Sequence, residues 1–418
     1  MNCRHCAAPL QHRFLDLGFA PPSNAYLSPA DLSQPELTFP LRVKVCDRCW
    51  LVQTEDFAAA DALFTHDYAY FSSTSSSWVA HAALYCRQMI QDLGLDASSL
   101  VIEVASNDGY LLQHMRSAGI PCLGIEPTAS TAAAAEALGI PVLREFFGEA
   151  LAQGLAAEGR QADLILGNNV YAHVPDINDF TRGLAVALKP GGTITLEFPH
   201  LLQLITQGQF DTIYHEHFSY LSLLAVQSIF LAAGLRVYRV EQLSTHGGSL
   251  RLFGCHHDDP RPDEASIAAL LQAERDAGLD QLATYHAFQA RAEAIRNDLL
   301  LFLIEQQRAG RRVVGYGAAA KGNTLLNFAG VRPDLLSLVA DGAAAKQGNY
   351  LPGSHIPIVP PEGLWRDGSP DVVLILPWNL RAEITPLIRE LHRRLAPADA
   401  PQPRIYTAVP QLQEQDGL

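Results

Sequence analysis

Three observations predict an α/β protein in three parts. Two CxxC pairs stand near the start of the chain, CRHC at Cys3 to Cys6 and CDRC at Cys46 to Cys49. Four apolar runs, LVIEVA, CLGIEP, ADLILGNN and TITLEF, recur between residues 98 and 198, each followed by a polar turn and a helix-compatible segment. That alternation is the signature of buried parallel strands with crossover helices, a doubly wound sheet. RRVVGYGAAAKGNTLLNF then repeats strand, glycine turn and helix beyond a charged, proline-bearing boundary, HDDPRPDE at 257 to 264. The expected parts are residues 1–67, 68–257 and 258–418, the last a second, C-terminal doubly wound α/β domain opening on a long Ala/Leu/Glu/Arg-rich helical stretch to about 309.

The first part follows from its cysteines. Cys3, Cys6, Cys46 and Cys49 offer four thiolates from two knuckles, which suits a tetrahedral structural zinc. A redox pair needs only one CxxC, and four sulfurs leave no open position for catalysis. The separation of the pairs is longer than in a compact zinc ribbon, so DLGFAPPSNAYL forms an excursion of its own. Cys86, Cys122 and Cys255 stand alone and read as small buried hydrophobes.

Composition bounds the function. With 418 residues, 48% of them hydrophobic, the chain can build more than one core. A net charge of −14 repels a phosphate backbone, so no nucleic-acid partner is expected. MNCRHCAAPL lacks a basic and apolar leader pattern, and the most apolar stretch, LSLLAVQSIFLAAGL at 221 to 235, is interrupted by Ser222, Gln227 and Ser228. A cytoplasmic protein with no membrane partner is the expectation.

In a doubly wound sheet, ligands lie at the carboxyl ends of the strands. At the first such end EVASNDGYLL places Glu103, then the small-residue turn Ala105, Ser106, Asn107, Asp108 and Gly109, where a ligand can approach the backbone. The second strand ends at Glu126, placed to accept from both hydroxyls of a ribose, and the third at Asn168 and Asn169, with His173 and Asp176 in the loop beyond. The turn lacks the three glycines of a pyrophosphate cradle, which favours a nucleoside without a diphosphate, such as S-adenosylmethionine. A lone small-residue loop is a weak signal, and an ordinary strand-to-helix turn reads the same way.

EVASNDGYLL, GIEP, NNVYAHVPD, EFPHL and YHEHFSY, taken together and in that order, resemble the sugar C-methyltransferases. These are S-adenosylmethionine-dependent enzymes acting on a keto-deoxysugar carried on a nucleotide. The likeness spans essentially the whole chain, with a zinc domain carrying GFAPPSNAYL and a C-terminal domain carrying GYGAAAKGNTLLN and KQGNYLPGSHIP. It implies a Rossmann-like class I methyltransferase core. The cluster in FDTIYHEHFSY, residues 210 to 220, then has a use. Carbon offers no lone pair to a methyl donor until a proton has gone, so the site needs a base and a donor for the developing oxyanion.

By the resemblance His217 removes the proton, while Tyr214 and Glu216 orient the sugar or steady the enolate. His173 and Tyr68 of HDYAYFSSTS are carried over as active-site positions, with Tyr70 the alternative match two residues on. Tyr70, His200, Lys321, Asn323 and Lys346 are assigned to the substrate, and His215 to structure. The family implies a dTDP-linked 4-keto-6-deoxy sugar methylated at C3, and a monomer is expected. Near Asp341 the sequence reads GAAAKQG, small where relatives lead one to expect bulkier polar residues.

Four other readings stay open. Polar loop residues commonly satisfy only their own backbone, so the YHEH cluster reads equally as a hydrogen-bonded turn. His215 and His217 alternate as metal ligands could, with His200 the nearest third. Gly315, Gly317 and Ala320 satisfy GxGxxG/A with Asp341 after the next strand, which reads as an NAD-dependent oxidoreductase. A zinc-bearing assembly protein would need neither Glu126 nor His217.

Overall fold

A computed structural model describes residues 1–57 and 71–415. The first sheet is built from β1 (His12–Ala20), β2 (Phe39–Val45) and β3 (Val52–Thr54), paired antiparallel in that order. β2 alternates buried and half-buried residues, as a strand with one packed face should.

The second sheet follows the expected runs: β4 (Val101–Val104), β5 (Cys122–Ile125), β6 (Val142–Leu143), β7 (Ala162–Asn168) and β8 (Leu188–Pro199), all parallel. β9 (Ser219–Tyr220) leaves this region and pairs with β3, so the strand directly after YHEHF completes the N-terminal sheet. β10 (Leu235–Leu243) and β11 (Ser249–His256) return to the second sheet, whose order is β10-β11-β8-β7-β4-β5-β6. β11 runs antiparallel to both neighbours, so β10 runs parallel to β8 and the 244–248 hairpin turn lies at the carboxyl edge. The order reverses at β4, with β5 on one side and β7 on the other, which opens a crevice there. Ile102, Leu123, Ile165 and Ile194 are buried at its core.

Helix ends obey local chemistry. Ser222 Oγ accepts from the Ala225 amide at 3.2 Å to start the helix Leu223–Ala232, and Gly234 follows it at φ 73°. Asp176 is such a cap too: its Oδ1 accepts from the Asp179 amide at 2.9 Å at the head of Ile177–Ala187.

The third sheet takes β12 (Val313–Tyr316), β13 (Val339–Ala340), β14 (Ile358–Val359), β15 (Val372–Ile375), β16 (Arg404–Thr407) and β17 (Gln413–Glu414), in the order β14-β13-β12-β15-β16-β17. The long helical stretch before it divides into Ala265–Asp276, Leu282–His286 and Phe288–Arg308. The excursion between the cysteine pairs fills the seam: Leu27 bridges to Tyr350, Tyr26 donates to the Ala318 carbonyl at 2.6 Å, and Asn323 donates to the Ser23 carbonyl at 2.6 Å. No helix among the described residues is long and apolar enough to cross a membrane.

Candidate active site

The cysteine site forms from two tight knuckles. Ala7 and Trp50 each adopt φ 60° and return an amide to Cys3 and Cys46 respectively, both at 3.0 Å. The four sulfurs lie within 4.8 Å of one another, with Cys3 and Cys49 at 3.5 Å and Cys6 and Cys46 at 3.5 Å. Zinc–sulfur bonds of about 2.3 Å put tetrahedral sulfurs roughly 3.8 Å apart, so the set fits the ion. The Arg48 amide lies 3.4 Å from Cys46 Sγ and Gln53 Nε2 3.3 Å from Cys3 Sγ, donors suited to thiolates. It is the one such ligand cluster among the described residues. Of the lone cysteines, Cys86 and Cys255 are buried and Cys122 is half-buried.

At the β4 crevice, polar atoms are buried without protein partners: both oxygens of Glu103, Ser106 Oγ, Asp108 Oδ1, both amide atoms of Asn168 and Asn169 Oδ1. Burial, with Glu126 and Asp108 nearby, pushes the Glu103 carboxyl well above its usual range. Buried groups are ordinarily paired, so a cluster of orphans marks a place for a polar ligand. Ala105, Asn107 and Asn169 adopt φ 56°, 49° and 54°, turning the chain sharply at both loops. Gly109 cannot carry a side chain, since a Cβ there would meet Ile140 Cδ1 at 2.6 Å. Glu126 accepts from the Asn107 amide at 3.0 Å and the Thr128 amide at 2.9 Å, one through each oxygen, and each oxygen keeps a second lone pair for a hydroxyl. These residues fit S-adenosylmethionine.

The YHEH loop closes over the same edge. His217 Nδ1 lies 2.9 Å from the Thr212 carbonyl and His173 Nδ1 2.8 Å from the Glu216 carbonyl. A carbonyl can only accept, so both neutral histidines carry their proton on Nδ1. The two rings meet edge to face at 4.6 Å, and Tyr214 lies over His217 at 3.9 Å. Burial, then the neighbouring His173, holds His217 well below its usual pKa, and burial brings His173 to about 4. Glu216 accepts from Asn24 at 3.2 Å, its second oxygen is buried without a partner, and burial pushes its carboxyl up.

The C-terminal domain reaches this loop. Thr324 donates to the Ile213 carbonyl at 2.8 Å. Lys321 donates to Asn379 at 2.7 Å and sits 4.8 Å over the Trp378 ring, beside buried Asp211, whose pKa burial raises to about 6. Asn323 is buried with its Oδ1 unpartnered. Lys346 is tied to the Ala318 carbonyl at 2.8 Å and to Asp341 at 3.4 Å.

Two expectations change. His200 does not face substrate: it is 1% exposed and its Nε2 pairs with Glu274 Oε1 at 2.7 Å, while the same carboxylate caps Leu223 and Leu224. The Gly317 turn is not a dinucleotide cradle. Asp341, which should reach a ribose, spends its oxygens on the Ala318 and Ala343 amides, both at 2.8 Å, and a Cβ on Gly317 would meet the Pro377 ring at 2.3 Å. Tyr68 and Tyr70 lie outside the described residues. His215 is buried against Phe39, in keeping with a structural part.

Sequence reading missed two residues. Arg4, inside the first knuckle, donates to the Phe218 carbonyl at 3.3 Å and the Thr54 carbonyl at 2.9 Å and pairs with Asp56, so it fastens the zinc site to the loop carrying His217. His246 stands in the 244–248 turn at the carboxyl edge, edge-on to Trp78 at 5.0 Å. Its signal was a histidine before two glycines, THGG.

Residues 3–64 match a zinc binding domain, 78–240 a methyltransferase domain and 244–395 a C-methyltransferase C-terminal domain. With the orphaned crevice and the four-cysteine cluster, they define an S-adenosylmethionine-dependent methyltransferase bearing a zinc domain. The chain is also 33% identical over 411 residues to the C-methyltransferase NovU of Streptomyces niveus, covering 97% of each chain. It belongs to that C-methyltransferase family. Among solved structures, the magnesium protoporphyrin IX methyltransferase of Synechocystis PCC 6803 aligns with 42% of this chain and 82% of its own at 16% identity, with a TM-score of 0.35. A methyltransferase of Haloferax volcanii, solved with its Trm112 activator, aligns with 43% and 96% at 16% identity and 0.33. Both likenesses are too slight to bear on function.

Proposed function

We propose that this C-methyltransferase acts on a nucleotide-linked 4-keto-6-deoxy sugar, dTDP-linked, at C3. His217 carries the reading: a buried, neutral imidazole whose Nδ1 is held by the Thr212 carbonyl, leaving the Nε2 lone pair as a base. A proton beside a ketone is acidic enough for such a base, because the bonding pair moves into a C3–C4 double bond and the carbonyl pair onto oxygen. S-adenosylmethionine, when bound, supplies an electrophilic methyl group and leaves as S-adenosylhomocysteine.

Glu103, Ala105, Ser106, Asn107, Gly109, Glu126, Asn168 and Asn169 hold the methyl donor at the crevice. Tyr214, Glu216 and His173 line the reacting face, and the resemblance adds Tyr68 to the catalytic residues and Tyr70 to those that bind substrate. Lys321, Asn323 and Lys346 serve the nucleotide side. The division is into residues 1–67, 68–257 and 258–418, and the active species is a monomer. Support comes from the loop's ties to all three parts of the chain: Thr54 Oγ1 donates to the His217 carbonyl at 3.3 Å, the Phe218 amide to the Ala172 carbonyl at 2.8 Å, and Thr324 to the Ile213 carbonyl.

The test is deuterium uptake from D2O into a dTDP-4-keto-6-deoxy sugar, followed by mass spectrometry. Wild type should exchange the C3 proton, and with S-adenosylmethionine should add a methyl mass. His217→Asn should lose about 10²–10⁴-fold in both. Unchanged exchange in the mutant removes His217 as base; no exchange with dTDP-, GDP- or CDP-sugars removes the sugar.

A further inference from the structure

We infer that His246 donates the hydrogen bond that steadies the oxygen on which charge develops when the substrate loses its proton, an inference that rests on the enolate reading above. Deprotonation beside a carbonyl needs two groups of opposite sense, an acceptor for the proton and a donor for the oxyanion. His217 and His173 are both committed as acceptors, because a backbone carbonyl holds the proton of each on Nδ1. In the neutral form neither has a hydrogen left to aim at substrate.

His246 differs in one respect that matters. Its Nδ1 is buried with no partner, and among the described residues no backbone carbonyl fixes its tautomer. Burial, then the Lys321 charge, lowers its pKa to about 4, so near neutrality it is an imidazole with one N–H that either nitrogen can carry. It lies near enough to His217 and Lys321 for their charges to act on one another. The residue is half-buried, in the turn at the carboxyl edge of the second sheet.

The turn that presents it is built for placement. His246 sits at φ 55° and ψ 16°, a left-handed conformation uncommon outside glycine, in which histidine is found more often than most residues. On either side, Thr245 Oγ1 donates to Glu197 at 2.9 Å and Gln209 Nε2 to the Gly247 carbonyl at 2.7 Å. A Cβ on Gly247 would meet Trp378 Cη2 at 2.3 Å, so the turn packs closely against that ring. Such strain is usual where a side chain is held for chemistry.

The left-handed backbone supplies two variants that should fold. Glycine removes the ring at no conformational penalty, and asparagine keeps an N–H donor in the same conformation. Deuterium uptake into the dTDP-4-keto-6-deoxy sugar is measured at saturating sugar, with sugar and S-adenosylmethionine affinities taken separately by calorimetry. His246→Gly should exchange about 10²–10³-fold more slowly than wild type, the loss seen when an oxyanion donor is removed. Both affinities should stay within about threefold, and His246→Asn should recover at least tenfold of the lost rate. Exchange at the wild-type rate in His246→Gly overturns the assignment. So does a loss explained by weaker sugar binding, or no recovery in His246→Asn, because the ring is then only a wall. Absence of exchange in the wild type is a different result: it removes the enolate reading itself.

Discussion

Two turns in this molecule look alike in sequence and have opposite characters in space. EVASNDG after β4 and GYGAAAKG after β12 both run strand, small residues, helix. In the first, Glu103, Ser106 and Asp108 keep buried atoms without partners. In the second, Asp341 gives both oxygens to its own loop and Lys346 closes over it. A small-residue turn lets a ligand approach, but unpaired polar atoms around it show that a ligand is expected. The first turn therefore carries an unmet hydrogen-bonding demand, and in the second the acid that would meet a ribose is spent on its own loop.

The sharpest way to break that contrast is Gly317→Ala. At φ 91°, with Pro377 at 2.3 Å from the new Cβ, it should lose about 2–4 kcal/mol of stability while leaving S-adenosylmethionine affinity unchanged. Denaturant unfolding and calorimetry read both, and a stable variant that fails to bind the methyl donor would reverse the assignment of the two turns.

Glu126→Gln comes next. It keeps one backbone acceptor and loses a carboxylate lone pair facing the crevice, so affinity should fall roughly tenfold, about 1.4 kcal/mol. Affinity equal to wild type would leave the carboxylate a purely structural clamp on Asn107 and Thr128.

The smallest effect is also the most telling. Glu103 is raised by burial in the folded state, so its contribution to stability is whole below the ordinary carboxylate range. That contribution is lost as pH rises toward the folded value. Glu103→Gln should therefore stabilise the ligand-free protein at pH 8 by about 1 kcal/mol, with the gain vanishing near pH 4. Thermal melts across pH test it; a destabilised variant at pH 8 would mean that Glu103 is paired.

Much of this was legible beforehand because it depends on neighbours in sequence. The four parallel runs, the Ser222 cap, the Gly234 stop and the paired knuckles each follow from residues within a few positions of one another. Asp176 shows the limit of that reading: its place in the loop after β7 suits a crevice residue or a cap alike, and in the fold it is a helix cap. His200 shows the other limit, since its partner Glu274 lies 74 residues away on a helix that nothing near EFPHL announces.

The sequence by itself determined the two doubly wound regions, the four sulfurs and the loop that carries His217, because spacing and periodicity are local properties of the chain. Tertiary structure alone decided which nitrogen of each histidine carries the proton, which strand-to-helix turn is left unsatisfied, and that Arg4 of the knuckle would grip Phe218, 214 residues on. Those outcomes depend on burial and on carbonyls brought together from distant segments, and a hydrogen bond has no address in the sequence until the chain has closed around it.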